Sequence, residues 1–199
     1  MDIQKILKHS IELLEIRGED VSEYEIGLNN IQINRFYSEV VTRSTKNITV
    51  FYIFSKDTLF KKWWGDVKMM TPEEMEKMYK TKGFILIMPD YPPSITLQQL
   101  QNKHQVMSAT EGFFFHLFLC KELMFNPMKH ELVPKHEKIT EEEGKTLMEN
   151  LQLKSKTQIP LIQRTDVIAR WLGLSQGDIV RITRYNETSG EYYFYRCCI

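Results

Sequence analysis

The sequence predicts an α/β fold for residues 1–128 and a small mixed α+β domain for residues 129–199. The first part holds three short apolar runs: 48–54, 84–88 and 113–119. Helical patterns lie between these runs, and alternation of strands with helices indicates an α/β layer. In the second part, shorter apolar runs are separated by prolines and glycines, which favours a small domain with many turns. Asn126-Pro127 is a fitting boundary between the two parts.

Residues 2–17 are predicted to form the first helix. Apolar side chains recur there at three- and four-residue spacing, which places them on one helix face: Ile3, Ile6, Leu7, Ile11 and Leu14. Asp2 precedes this pattern in the position of a cap, and Gly18 follows its end. The helix therefore presents one apolar side to the rest of the first domain.

The three apolar runs are interpreted as strands buried on both faces, because they are short, rich in β-branched and aromatic residues, and flanked by turn signals. Thr71, Pro72 and Glu74 form a capping box that starts a helix between the first two strands. A further helix starts near Ser94. For Trp63-Trp64 we expect a strand, with at least one ring in the core and the other either contacting a partner or stacking on the surface.

The second domain is predicted to contain two helices and a pair of strands. Thr140 and Glu143 form a capping box at the start of the first helix. The second helix runs from Asp166 to Trp171 and is stopped by Gly173. Residues 178–184 and 191–197 read as strands, joined by a loop that ends in Gly190.

Composition narrows the function classes. The chain has 199 residues, with 26 basic and 26 acidic residues and a formal net charge of zero, whereas a freestanding nucleic-acid binder usually has a basic excess. Cys120, Cys197 and Cys198 are an odd count at spacings unsuited to a disulfide framework, which favours a reducing compartment. We expect no signal peptide and no membrane span, because the N-terminal stretch is charged and no apolar run approaches about 20 residues.

Four blocks of the second domain, in order and at matching spacing, resemble one known family. The blocks are His130-Glu131-Leu132-Val133-Pro134-Lys135-His136, Gln158-Ile159-Pro160-Leu161-Ile162, Asp166-Val167-Ile168-Ala169-Arg170-Trp171-Leu172-Gly173, and Arg184-Tyr185-Asn186-Glu187-Thr188-Ser189-Gly190. They resemble the assembly domain of the fifth common subunit of eukaryotic DNA-dependent RNA polymerases, which has a shorter archaeal counterpart. Leu161, Val167 and Tyr185-Asn186 depart from the family pattern and indicate a divergent member.

The first domain resembles the family's N-terminal jaw domain in its order of helices and strands, and the archaeal counterpart lacks that domain. The resemblance therefore implies a eukaryotic-type member or one carried by a large DNA virus. It implies a nuclease-like fold without an active site in residues 1–128. It also implies that Pro92, Pro93 and Ser94 lie near downstream DNA and contact its backbone without sequence preference. From the residues alone, the alternative is a loop that only leads into a helix.

The implied function is that of a non-catalytic subunit of a multisubunit DNA-dependent RNA polymerase. By resemblance, residues 129–199 dock on the largest subunit and residues 1–128 form part of the lower jaw. Other polymerase subunits and downstream duplex DNA are the implied partners, with no cofactor, metal, membrane or small-molecule substrate. The implied location is the nucleus for a cellular protein, or the virion and host cytoplasm for a viral one. The residues implied for the interface or the assembly motif are His130, Pro134, His136, Pro160, Asp166, Arg170, Gly173, Arg181, Arg184, Glu187, Thr188, Gly190 and Arg196.

The arginines in that set allow two interpretations. Arg170, Arg181, Arg184 and Arg196 suit bidentate pairing with carboxylates of a larger subunit. The alternative is pairing inside the domain, with Asp166, Asp178 or Glu187. Sequence alone leaves both open.

Two other functions remain as alternatives. A metal-dependent nuclease would use Asp57, Asp66 and Lys68, with the Asp-x-Lys segment at the start of a strand. A freestanding transcription adaptor would use only the assembly domain. Zinc binding by His130, His136, Cys197 and Cys198 is not favoured, because their spacing does not match that of zinc ligands. The two histidines are expected instead to brace the start of the second domain through hydrogen bonds.

Overall fold

The computed structural model describes residues 2–55, 58–110, 112–188 and 190–199. The chain divides into two compact units, Met1–Phe125 and Asn126–Ile199, and each unit contains a four-stranded sheet. Across the described ranges, none of the helices combines the length and the apolar character that crossing a bilayer requires.

The N-terminal unit contains the following elements in order: α1 (Ile3–Ile16), α2 (Ser22–Asn29), α3 (Arg35–Ser38), β1 (Val41–Ser44), β2 (Ile48–Tyr52), α4 (Thr58–Val67), α5 (Pro72–Tyr79), β3 (Gly83–Met88), α6 (Ser94–Ala109), β4 (Phe114–Leu119) and a 3₁₀ turn at Cys120–Leu123. The C-terminal unit contains a 3₁₀ turn at Pro127–Lys129, β5 (Lys135–Lys138), α7 (Glu141–Asn150), a 3₁₀ turn at Lys156–Gln158, β6 (Leu161–Ile162), α8 (Val167–Leu172), β7 (Ile179–Asn186) and β8 (Gly190–Cys198).

The N-terminal sheet has the strand order β1-β2-β3-β4. The pairs β2–β3 and β3–β4 are parallel, and β1 runs antiparallel to β2. Every residue of β2 and β3 is buried, which is typical of parallel strands covered by helices on both faces. The predicted α/β class and its three apolar strands are therefore confirmed.

Neighbouring residues of β2 point to opposite sides of this sheet. The Tyr52 hydroxyl lies 2.6 Å from Ser10 Oγ of α1 and 2.7 Å from the Tyr24 hydroxyl of α2. Phe51 instead packs against Trp63 of α4, with ring centroids 5.0 Å apart. The sheet is thus covered by α1 and α2 on one side and by α4 on the other.

The expectation of a strand at Trp63-Trp64 is wrong, because both rings lie on α4. The two tryptophans are 7% and 6% exposed, so neither is free for a partner. Together with Phe60 and Val67 they follow a helical spacing of three and four residues, and all of them are buried. Adjacent residues on a helix are only about 100° apart, so a wide apolar stripe buries both rings.

The C-terminal sheet has the strand order β5-β7-β8-β6. Strands β7 and β8 form a long antiparallel hairpin that extends beyond the predicted 178–184 and 191–197. Its two faces are covered by separate apolar clusters, one around Ile179 and Cys197 and the other around Val180 and Cys198. Both thiols are buried and free, and burial raises the pKa of Cys198 to about 11.

Candidate functional site

The β7–β8 hairpin carries three of the four predicted arginines, and the strand pleat sorts them onto two faces. Arg181 is paired with Tyr195 in the strand register, whereas Arg196 is paired with Val180. Directly paired residues share a face and neighbours along a strand do not. Arg181 therefore lies on one face of the hairpin, and Arg184 and Arg196 lie on the other.

Arg181 is neutralised within the unit. Its Nη2 lies 3.2 Å from Glu137 Oε2, and Glu137 is its register partner on β5. Lys135 Nζ lies 2.7 Å from the other oxygen of the same carboxylate. Hydrogen bonds from Lys135 and then Arg181 lower the pKa of Glu137. The sequence named other internal partners: Asp166 instead caps α8, and Asp178 pairs with Lys138 at 2.6 Å.

Arg184 and Arg196 share one aromatic ring on the opposite face. The guanidinium carbon of Arg184 lies 5.1 Å from the centroid of Phe194, and that of Arg196 lies 5.9 Å from it. Among the described residues, neither guanidinium forms an ion pair. The Arg196 Nε is buried and has no acceptor within the described part of the chain. Tyr192, on the same face, is 39% exposed. We call Arg184, Phe194, Arg196 and Tyr192 the arginine face.

His136 borders the arginine face from β5, where it is the register partner of Ile182. Its Nδ1 lies 2.6 Å from the carbonyl oxygen of Pro134; a carbonyl only accepts, so Nδ1 carries the proton. Burial lowers the pKa of His136, and the nearby Arg196 and Arg184 lower it further. The Pro134 bond and the charge of Asp166 act in the opposite direction. The imidazole is therefore held neutral beside two cations.

The motif residues around α8 shape the backbone. The Asp166 carboxylate accepts a hydrogen bond from the Ile168 N–H at 2.8 Å and caps the helix start. Gly173 ends the helix with φ +67°, a conformation that glycine adopts without steric cost. The Pro160 carbonyl accepts a bond from the Cys197 N–H at 2.8 Å, which fixes the chain beside β8. Arg170 lies within α8 and is its basic residue in the last turn.

The hairpin tip and the segment before β5 are also built from local bonds. Asn186 Oδ1 accepts from the N–H and hydroxyl of Thr188 at 3.0 and 2.9 Å, and Gly190 has φ +70°. Glu187 is exposed at this tip. His130 Nδ1 accepts a bond from the Leu132 N–H at 3.2 Å. The predicted hydrogen bonds of the two histidines therefore exist, and each is made within its own segment.

In the N-terminal unit, Pro92, Pro93 and Ser94 lead into the first turn of α6. Pro93 is the residue before the helix, and no side chain caps this end. The first intrahelical bond of the segment runs from the Leu97 N–H to the Pro93 carbonyl at 2.9 Å. Residues 91–110 contain neither Asp nor Glu. This helix start thus offers backbone N–H donors, and the nearest carboxylate before it in sequence is that of Asp90.

The segment considered for nuclease chemistry does not start a strand, so that expectation is wrong. Asp66 lies in α4 and Lys68 just after it, and both are exposed. Two residues apart on a helix, side chains point to nearly opposite sides. The Asp66 carboxylate and the Lys68 ammonium therefore do not meet beside one metal-bound phosphate. Asp57 lies outside the described residues. Among the described residues, no three His, Cys, Asp or Glu side chains are grouped as metal ligands.

Comparison with known proteins shows what the C-terminal unit is similar to. Residues 125–198 match the family model described as RNA polymerase Rpb5, C-terminal domain. Over these residues the C-terminal unit is similar to this family. The chain is also 33% identical, over 127 residues, to the DNA-directed RNA polymerases I, II, and III subunit RPABC1 of Caenorhabditis briggsae, and equally to that of Caenorhabditis elegans. Each alignment covers 64% of this chain and 56% of the relative, so the chain spans about half the length of these relatives.

Within the C-terminal unit, sequence reasoning found the arginines but missed their surroundings. It did not predict β5, and therefore missed both Glu137 as the partner of Arg181 and the position of His136. It also did not single out Phe194 as the ring shared by Arg184 and Arg196. The alternation of residues along 191–197 places Phe194 and Arg196 on one face and was available as a signal. The pairing of β5 with β7 joins residues 44 positions apart and left no local signal.

Proposed function

We propose that the chain is a non-catalytic structural subunit of a multisubunit DNA-dependent RNA polymerase. The observation that carries this proposal is the match of residues 125–198 to the Rpb5 C-terminal domain. The 33% identity to polymerase subunits over 127 residues supports it, because the alignment is longer than that domain. In this proposal the chain catalyses no reaction and holds no cofactor. Nucleotidyl transfer is carried out by other subunits.

The C-terminal unit is proposed to anchor the chain to the largest polymerase subunit. Support comes from the arginine face, where two guanidinium groups remain without an ion pair among the described residues while Arg181 is paired internally. Guanidinium groups suit bidentate bonding to carboxylates at protein interfaces. The rigid backbone around Pro160, Asp166 and Gly173 would hold this face in a fixed shape.

The N-terminal unit is proposed to form part of the lower jaw, with the nuclease-like fold and no active site that the resemblance implies. Pro92, Pro93 and Ser94 would then contact the backbone of downstream duplex DNA without reading its sequence. The uncapped start of α6 and the absence of Asp and Glu from 91–110 support this placement, since helix N-termini favour phosphate oxygens. The location would be the nucleus for a cellular protein, or the virion and host cytoplasm for a viral one.

The experiment that tests the proposal is purification of the tagged full chain from its native source. The bound proteins are identified by mass spectrometry and the eluate is assayed for template-dependent RNA synthesis. We expect two very large subunits and several small ones in equal amounts, together with RNA synthesis. Isolation of the chain alone or with unrelated proteins would contradict the proposal.

The same preparation separates the remaining alternatives. A core subunit stays bound at high salt, whereas a freestanding adaptor dissociates as ionic contacts are screened. For the nuclease alternative, the isolated chain and its Asp66→Ala variant are compared on duplex DNA with Mg²⁺. Metal-dependent cleavage that the variant loses would establish that alternative. We expect no cleavage by either protein.

A further inference from the structure

We propose that the arginine face is a receptor for an acidic segment of a protein, whose carboxylates pair with Arg184 and Arg196 on either side of Phe194. This inference rests on the proposed function, because the segment would belong to another polymerase subunit. It adds the chemistry of the partner and the residues of this chain that select it.

Unpaired charge on this face is the first argument. Arg184 and Arg196 approach the Phe194 ring at 5.1 and 5.9 Å, and neither has an ion pair among the described residues. Stacking on an aromatic ring leaves the edge of a guanidinium open for two parallel hydrogen bonds. The face therefore presents donors for carboxylates that this part of the chain does not itself supply.

The opposite face of the same hairpin provides the contrast. Arg181 also lies over an aromatic ring, with its guanidinium carbon 5.5 Å from the centroid of Tyr193. There, however, Glu137 supplies the carboxylate at 3.2 Å. The protein thus contains a completed arginine–aromatic–carboxylate arrangement on one face and a similar arrangement without its carboxylate on the other.

The charges around the hairpin favour an acidic protein segment over a nucleic acid. Lys135 and Lys138 of the adjacent β5 are paired with Glu137 and Asp178, at 2.7 and 2.6 Å. Binding of a phosphate backbone uses many unpaired cations along a stripe. Two guanidinium groups around one ring instead match a few carboxylates. Phe194 and the exposed Tyr192 add the aromatic surface that is enriched at protein interfaces.

The neutral state of His136 is consistent with a site of limited charge. Burial lowers the pKa of His136 from its ordinary value of 6.5, so the ring contributes no further cation toward the arginine face at neutral pH. The negative charge of Asp166 raises the pKa of His136, and the Asp166 carboxylate already accepts a hydrogen bond from the Ile168 N–H. The two arginines therefore set the charge that an incoming segment meets.

The test uses the tagged full chain in the complex from its native source. Retention on the large subunits is measured between about 0.1 and 1 M NaCl for wild type, Arg184→Gln/Arg196→Gln and the matched control Arg181→Gln. We expect the double variant to dissociate about tenfold to a hundredfold more readily, and the control to behave as wild type. Equal retention of the double variant and the wild type, or equal loss from the control, would overturn the inference.

A second measurement leaves both arginines in place and changes only Tyr192, an exposed residue of the same face. A photo-crosslinking benzoylphenylalanine replaces Tyr192, and the crosslinked peptide is sequenced. We expect the crosslinked peptide to come from another polymerase subunit and to contain Asp or Glu. In a charge-reversal experiment, replacing those carboxylates by lysine should restore binding of the Arg184→Glu/Arg196→Glu variant. A crosslink to nucleic acid, to a second copy of the chain or to a segment without carboxylates would refute the acidic partner.

The outcomes also separate this inference from the proposed function. If the wild-type chain brings down no large polymerase subunit, the proposed function is wrong and the inference falls with it. If the large subunits are recovered equally with wild type and the double variant, the proposed function stands and the acidic-segment inference alone is refuted.

Discussion

The Lys103 Nζ of α6 donates a hydrogen bond to the backbone carbonyl of Val67, the last residue of α4, at 3.2 Å. It also contacts the carbonyl of Met70, although Lys103 is only 7% exposed. The last carbonyls of a helix lack intrahelical partners, and a cation is favoured beside them. One buried ammonium group thus ties the end of the helix that carries both tryptophans to the helix before β4.

Lys103→Met is therefore expected to destabilise the N-terminal unit. The variant keeps the apolar stem but removes the ammonium from both carbonyls; that of Val67 keeps the Met70 N–H as a donor at 3.2 Å, whereas that of Met70 loses the lysine bond. Loss of a buried hydrogen bond of this kind costs about 1–3 kcal/mol. Thermal unfolding followed by tryptophan fluorescence measures the change, since Trp63 and Trp64 lie on α4. The control is Lys61→Met, at an exposed position of α4, which should leave the unfolding transition nearly unchanged. Equal transitions for both variants would contradict the capping role.

The buried Tyr24–Tyr52–Ser10 cluster predicts a specific sensitivity to alkaline pH. Burial raises the pKa of Tyr52 to about 12 and that of Tyr24 well above its ordinary value of 10. Because the folded protein holds these protons more tightly than the unfolded chain, the resulting stability is fully present below pH 10. It is lost as pH rises from 10 toward 12.

Spectroscopic titration of tyrosinate checks this expectation. In the wild type, two tyrosines should ionise late and together with unfolding of the N-terminal unit. Tyr24→Phe/Tyr52→Phe should remove this late phase and lower stability at neutral pH, since Ser10 loses its hydroxyl partner. Tyr37→Phe is the control, because Tyr37 is 48% exposed. Late ionisation that persists in the double variant would assign the effect to other residues.

How far the sequence predicts this protein depends on whether a pattern is local. The run around Phe51 and the capping box at Thr71 are local patterns, and the corresponding β2 and α5 were predicted. The strand expected at Trp63 and Trp64 is wrong because the helical signal extends beyond the two adjacent rings, to the apolar spacing from Phe60 to Val67. Strand β1 was missed, since its four residues carry no apolar alternation strong enough to mark it.

The candidate site also contains residues that local patterns predict and residues whose contacts depend on distant parts of the chain. Pro160, Asp166 and Gly173 were found because turns and caps depend on a few adjacent residues. The ion pair of Arg181 with Glu137 depends on the register of β5 with β7, which packing and the connecting chain set over long distances in sequence. Sequence reasoning therefore found the arginines but not which of them is already paired.

Gly83 is expected to tolerate no larger side chain. It pairs with Phe114 across the β3–β4 ladder, and a Cβ atom at Gly83 would lie 2.3 Å from Phe114 Cζ and 3.1 Å from Ile48 Cγ1. Gly83→Ala should therefore destabilise the N-terminal unit by about 1–3 kcal/mol through overpacking. Chemical denaturation measures this value.

Gly65 supplies the matched control for that substitution. It lies within α4, and a Cβ atom there would meet nothing within 4 Å. Gly65→Ala should stabilise the protein by about 0.5–1 kcal/mol, because alanine favours the helix. The two variants make the same chemical change with opposite expected signs. A destabilised Gly65→Ala, or an unchanged Gly83→Ala, would contradict this difference in packing.

His136 predicts that the C-terminal unit loses stability in mildly acidic solution. Its folded-state pKa is lowered from 6.5, chiefly by burial and then by Arg196 and Arg184. The unfolded chain therefore takes up the proton more readily than the folded one. The stability that this group contributes is fully present above pH 6.5 and is lost as pH falls through the folded-state pKa. The lowered pKa of Glu137 also contributes stability, but that contribution is lost only as pH falls below the ordinary value of 4.5. The pH ranges of the two effects are therefore separate.

Hydrogen exchange of backbone amides in β7 and β8, compared at pH 7.5 and 5.5 after correction for intrinsic rates, measures this effect. Protection should fall at the lower pH in the wild type, and the fall should be smaller in His136→Gln, which cannot take up a proton. His130→Gln is the control, because the His130 side chain accepts a bond from the nearby Leu132 N–H and lies before β5. If His136→Gln keeps the full pH dependence of the wild type, His136 is not the group responsible and the charge balance assigned to the arginine face is wrong.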